Sequence, residues 1–191
     1  MIDELLKSFI TLFVIMDPFG NLPILISLMK GMKEKERTKN IYRAVLVASI
    51  LLFIFLFFGV YIFKFFNISI NSFIIAGGII LLVVGIQYVL GLRFLKEKSI
   101  DIASVPLGTP LLTGPGVITS TIILVNEYGM LITAIAAIAT LAATLIILRF
   151  SSHIYRLIGE HWSNVLSRIM GLILAAIAVE FIRKGILGAL G

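Results

Sequence analysis

Asp17-Pro18-Phe19-Gly20-Asn21-Leu22-Pro23 falls in the middle of Ile2–Met29, a run that is otherwise apolar apart from Asp3, Glu4 and Lys7. Each proline inside a helix removes a backbone hydrogen bond and clashes with the preceding turn, so one continuous helix cannot pass through this stretch. In lipid, freed backbone groups must find partners, and irregular backbone persists only where protein or a wet cavity surrounds it. The break therefore marks the inside of a bundle, not its lipid face. Asp17 is also the one acid placed in the middle of an apolar run. A charge there costs about 2.5–3.5 kcal/mol on insertion scales, so it faces the interior. Three tasks suit it: binding an ammonium, carrying a proton or coordinating a cation. Its bland alternative is an Asx-turn that caps the N–H of Phe19 or Gly20.

The rest of the chain is a membrane protein by composition. Of 191 residues, 60% are hydrophobic and 14% charged, and mean hydropathy is +1.12. Soluble domains carry roughly 45–50% apolar and about 25% charged residues, so this chain holds more apolar surface than a small globule can bury. Four runs without proline are long enough to cross a bilayer: Ile41–Phe63, Ile70–Leu90, Leu131–Leu148 and Val165–Ile182, the last interrupted by Arg168 near its start and Glu180 near its finish. A second broken run, Val105–Asn126, has no charge but holds Pro106, Gly108, Pro110, Gly114, Pro115 and Gly116. The expected fold class is an all-α membrane protein with six transmembrane segments, two of them broken.

The two breaks correspond. Sliding the chain by 92 residues lays Pro18 over Pro110, Pro23 over Pro115, Asp17 over Thr109, Asn21 over Thr113 and Ser27 over Thr119. At an offset of 93, Gly78 meets Gly171, Gln87 meets Glu180 and Tyr88 meets Phe181. The predicted unit is three helices with the first broken, used twice, over residues 1–95 and 96–191. An odd number of crossings inverts the second copy, the plan of many secondary transporters. Lys and Arg divide unevenly between the two sides. Lys7, Lys64, Arg183 and Lys184 share one side. The other holds Lys30, Lys33, Lys35, Arg37, Lys39, Arg43, Arg93, Lys96, Lys98, Arg149, Arg156 and Arg168. The positive-inside rule makes the richer side cytoplasmic and puts both termini outside, in a multi-pass protein of the cell membrane. Re-entrant hairpins in place of broken spans would divide the charge the same way with both termini inside, so charge leaves the two plans open.

A half-helix is expected to start near Pro23 and near Pro115, with Asn21 and Thr113 placed to cap it. Such an N-terminus carries roughly half a positive charge and seats an anion. Gly20, Gly114 and Gly116 would let a ligand approach the backbone. The candidate substrate-binding residues are therefore Asp17, Gly20, Asn21, Thr109, Thr113, Gly114 and Gly116. Candidates for ion coupling are Asp17, Glu180 and Gln87. Glu180 precedes Arg183 and Lys184 by three and four residues, so an interfacial ion pair also explains it. Other features exclude chemistries. The chain has no cysteine, hence no disulfide or thiolate metal site, and no phosphate-binding Gly-Lys-Ser/Thr motif. His153 and His161 stand in a polar loop segment without a third ligand, so no metal and no resident cofactor is expected beyond a coupling proton or sodium ion. The +6 charge serves topology, not nucleic acid. Ala136/Thr140/Thr144 and Gly171/Ala175 read as close-packing stripes.

Asp17-Pro18-Phe19-Gly20-Asn21-Leu22-Pro23-Ile24, the stretch from Pro106 to Gly116 and Ile169–Val179 together resemble the MarC family of six-helix inner-membrane proteins. The resemblance spans essentially the whole chain. It implies a transporter, not an enzyme, and some archaeal members are regarded as ion-driven carriers of small neutral amino acids such as glycine and alanine. The partners expected are a small-molecule substrate and the bilayer, with a homo-oligomer left open. Export of amino acids or other small metabolites is the nearest alternative. An intramembrane enzyme or a non-transporting scaffold fits the paired breaks less well.

Overall fold

The computed structural model describes residues 2–22, 25–26, 29, 31–91 and 112–190, and these are helical with short connections. The helices are α1 (Ile2–Met16), α2 (Glu34–Phe65), α3 (Ile70–Leu90), α4 (Pro115–Tyr128), α5 (Met130–Arg149) and α6 (Ser151–Leu190). Gly159 divides α6, with φ 77° and ψ 168° inside an otherwise helical stretch. The segment read from sequence as a polar loop around His153 is thus helical. The His153 N–H donates to the Phe150 carbonyl at 2.9 Å. Helix ends follow local chemistry. Ser69 accepts from the Ser72 N–H at the start of α3, and Gly91, in the left-handed region at φ 66°, closes it. Gly129 joins α4 directly to α5 at φ 86°.

Among the described residues, α2, α3 and α5 are long and apolar enough to cross a membrane. Their outward surfaces are apolar, with Phe57, Phe58, Ile79, Val83, Ile135 and Ile138 all more than 40% exposed. That is the pattern expected when lipid is the solvent. Inside, Leu12, Met16, Leu52, Leu56, Ala136, Ala137 and Leu148 belong to one cluster shared by α1, α2, α4 and α5. Ile74, Leu81, Ile123, Leu174, Ala178 and Phe181 form a second between α3, α4 and α6.

Contacts fix the direction of each helix. Arg149 at the end of α5 approaches Glu34 at the start of α2 at 3.8 Å, so these two run antiparallel and share what is here called the near face. The Thr140 hydroxyl reaches the Phe9 carbonyl and the Thr144 hydroxyl reaches Met16 Sδ, so α1 runs parallel to α5, toward the near face. The Thr113 hydroxyl donates to the Ala48 carbonyl, and Gly59 packs on Ile122, so α4 runs with α2, away from it. Gly77 packs on Thr119 and Gly116 on Leu81, so α3 opposes α4. Asn71 donates to the Gly188 carbonyl while Gly85 lies on Ala175, so α6 opposes α3. Direction alternates strictly from α1 to α6. The start of α1 and the end of α6 therefore lie on the same far face.

The α3–α6 seam is built on glycine. A Cβ on Gly78 would stand 2.9 Å from the Ala178 carbonyl and 3.1 Å from the Ile182 nitrogen. A Cβ on Gly171 would stand 2.9 Å from the Gly85 carbonyl and 3.0 Å from the Val89 nitrogen. Residue 78 maps to 171, 85 to 178 and 89 to 182 at a single offset of 93. The two sets of contacts are copies of each other with the partners exchanged. Small residues let the backbones approach this closely, and close approach replaces the hydrophobic driving force that lipid removes.

Candidate functional site

The first break lies where α1 gives way after Met16. The Asp17 N–H still donates to the Phe13 carbonyl at 3.0 Å, but its φ of 41° turns the chain into the left-handed region. Asp and Asn enter that region far more readily than β-branched or bulky residues. Asp17 Oδ1 accepts the Gly20 N–H at 3.0 Å, the Asx-type cap anticipated for it. The other oxygen, Oδ2, is buried and has no hydrogen-bond partner among the described residues. Since Asp17 is 3% exposed, the cap accounts for half of a carboxylate and leaves the other half unsatisfied. Asn21 Nδ2 donates to the Met16 carbonyl at 3.1 Å, covering one of the carbonyls orphaned where α1 stops.

The second break ends at Gly114, from which α4 departs with Pro115 in its first turn and no side-chain cap. Thr113 was expected to supply that cap. Instead its hydroxyl donates to the Ala48 carbonyl of α2 at 3.1 Å. The contact spans 65 residues and ties the break to the neighbouring helix. The N-cap position of α4 is a glycine, so it offers no side-chain oxygen of its own to the helix N-terminus. The start of α4 packs beside the end of α1: a Cβ on Gly116 would stand 3.3 Å from Ile15 Cγ2, two residues before Asp17.

Gly20 and Gly116 face protein side chains where a ligand was expected to approach. The space beside Gly20 holds the Asp17 carboxyl, whose Cγ would stand 2.7 Å from an added Cβ, and the space beside Gly116 holds Leu81 and Ile15. Their missing side chains serve close packing of the protein around the breaks. Glu180 is also displaced from its expected place. Its side chain is 43% exposed and pairs with Arg183 at 2.7 Å, next to the Lys184–Glu127 pair at 3.1 Å. That cluster lies toward the far face, where long side chains reach water, and nothing carries Glu180 to Asp17. Gln87 is half-buried on α3. Thr109 and Pro110 lie outside the described residues, as do Pro23 and Ser27.

Sequence reasoning missed four polar groups. Tyr88 gave no signal beyond its alignment with Phe181. Thr140 and Thr144 are fully buried and carry hydroxyls onto α1, Thr144 at 3.2 Å from Met16 Sδ, though their spacing reads as packing alone. Ser8 Oγ is buried on α1 without a partner among the described residues.

Residues 2–190 match the MarC family of integral membrane proteins. The chain belongs to that family. A membrane protein of Archaeoglobus fulgidus named UPF0056 is 39% identical, over 94% of this chain and 90% of its own length. The UPF0056 inner membrane protein YhgN of Escherichia coli is 35% identical over 96% of each. The UPF0056 membrane protein YvbG of Bacillus subtilis is 34% identical over 98% of this chain and 96% of its own. No solved structure matches. This MarC-family chain is therefore an integral membrane protein over its full described length, and its relatives' names state no substrate.

Proposed function

We propose that this protein is a secondary transporter of a small neutral amino acid of glycine or alanine size. It works by alternating access between two inverted three-helix repeats, 1–95 and 96–191, coupled to a proton or sodium gradient. The observation that carries the reading is Asp17: a carboxylate buried at a helix break, one oxygen capped by Gly20, the other without a hydrogen-bond partner among the described residues. A buried charge left half-satisfied is costly and belongs to a site with a task. A zwitterion offers an ammonium for Asp17 Oδ2 and a carboxylate for the uncapped N-terminus of α4. The packing of Ile15 against Gly116 supports a reading in which the two seats serve one substrate.

Two observations support the repeat. Helix direction alternates from α1 to α6, as six crossings require, and the Gly78 and Gly171 contacts exchange under one offset. Both broken segments then span the bilayer, with the basic near face in the cytoplasm and both termini outside in the cell membrane. Transport and not catalysis is our reading because, among the described residues, no hydroxyl is hydrogen-bonded to Asp17 Oδ2. The test is uptake of labelled glycine by liposomes holding the purified chain, with and without an imposed pH or sodium gradient. Accumulation that needs a gradient is the expected result. No gradient-dependent movement of glycine or alanine in either direction would overturn it.

A further inference from the structure

At the near face, the first turns of α2 and the end of α5 enclose an open cleft of about 670 Å³, lined by Glu34, Lys35, Thr38, Lys39, Tyr42 and Arg149. Three cations face one carboxylate there, and that carboxylate is held loosely, 85% exposed and 3.8 Å from Arg149. The cleft therefore keeps a positive balance with Glu34 counted. Below it the same face of α2 changes character. Tyr42, Leu46 and Ile50 follow at helical spacing and are 53%, 59% and 52% exposed. On α5, Ile146, one turn before Arg149, is 58% exposed. Charge, then a tyrosine, then aliphatic surface along one stripe matches the profile of a lipid standing in its leaflet.

We propose that this cleft binds the headgroup of an anionic phospholipid. The phosphate sits among Lys35, Lys39 and Arg149, and the acyl chains lie along Tyr42, Leu46, Ile50 and Ile146. A phosphodiester takes charge-assisted hydrogen bonds from all three cations. A zwitterionic headgroup would bring its own ammonium into a site already positive. The apolar stripe selects a lipid over a free anion, because a soluble phosphate gains nothing from it. The site stands apart from Asp17 and does not depend on the transport reading.

The test is native mass spectrometry of the full chain offered equal amounts of phosphatidylglycerol and phosphatidylcholine. A basic residue near the surface is worth about fivefold in affinity for an anionic lipid. The wild type should retain phosphatidylglycerol over phosphatidylcholine by at least that factor. Lys35→Gln/Lys39→Gln/Arg149→Gln should bring the ratio close to one, and Glu34→Gln should raise it. Lys7→Gln, at the other face, should leave it unchanged. Should the triple variant fail to fold, Lys39→Gln alone, at an exposed position, should lower the ratio at least twofold. An equal ratio in the wild type, a preference that survives the charge removals, or full displacement by millimolar glycerol phosphate would each overturn the proposal.

Discussion

Asp17 and Gly20 act as one unit. With φ at 41°, position 17 accepts Asn at little cost, and Asn keeps an oxygen for the Gly20 N–H. Asp17→Asn should therefore insert and unfold thermally like the wild type, since it removes a buried charge and keeps the turn. If Asp17 receives a substrate ammonium, its removal should weaken glycine uptake by about 10–100-fold, the worth of a hydrogen bond to a charged group. Liposome uptake at matched protein density reads this out, and unchanged gradient-driven uptake would remove Asp17 from the site. Gly20→Ala tests the same unit from the other side. The new methyl would press on the carboxyl at 2.7 Å from Cγ, so Asp17 must turn away and Oδ1 must leave the Gly20 N–H. Thermal unfolding should show a loss of about 1–3 kcal/mol, the usual cost of overpacking, together with impaired uptake. What was legible at this scale was the identity of the break and of its acid. What was not legible was Thr113, whose partner carbonyl is 65 residues away.

Elements were legible where composition alone decides them. Ile70–Leu90 has the bounds read from its apolar run, because a Ser cap and a left-handed Gly close both ends locally. α1 stops one residue before the Asp17-Pro18 pair, and α4 starts at the proline read as its first turn. Composition failed between Arg149 and Val165, where polar residues suggest a loop. Helix persists there because polar residues on a helix near the membrane surface cost little, and Gly159 bends it. The glycine seam between α3 and α6 gives the sharpest test at this scale. A Cβ on Gly85 would meet the Ala175 nitrogen at 2.8 Å and the Gly171 carbonyl at 2.9 Å, both backbone atoms that cannot swing aside. Gly85→Ala must therefore push the helices apart, and should lower stability in detergent by about 1–3 kcal/mol. The exposed Lys184–Glu127 pair, by contrast, should tolerate Lys184→Gln with a loss of at most about 1 kcal/mol. A Gly85→Ala protein as stable as the wild type would mean that the seam opens freely.

Across the whole molecule, the proposed alternating access requires the second three helices to be inverted relative to the first, and the alternation of helix direction is the feature of that plan open to test. With no cysteine in the chain, single cysteines report topology without background. Lys7 lies in the second turn of α1, Leu190 ends α6 and Lys39 stands at the near face on α2. A membrane-impermeant maleimide applied to intact cells should label Lys7→Cys and Leu190→Cys, while Lys39→Cys should react only after permeabilisation. The first two sharing a side follows from the helix contacts, and the side itself follows from the crowding of Lys and Arg at the near face. The two inferences separate cleanly. Labelling of Lys7→Cys and Leu190→Cys on opposite sides would break the alternation, and with it the inverted repeat that alternating access needs. Labelling of both on the inside, with Lys39→Cys reacting outside, would keep the repeat and reverse only its orientation. The cytoplasm would then face the end of the molecule where Glu127, Glu180, Arg183 and Lys184 are paired.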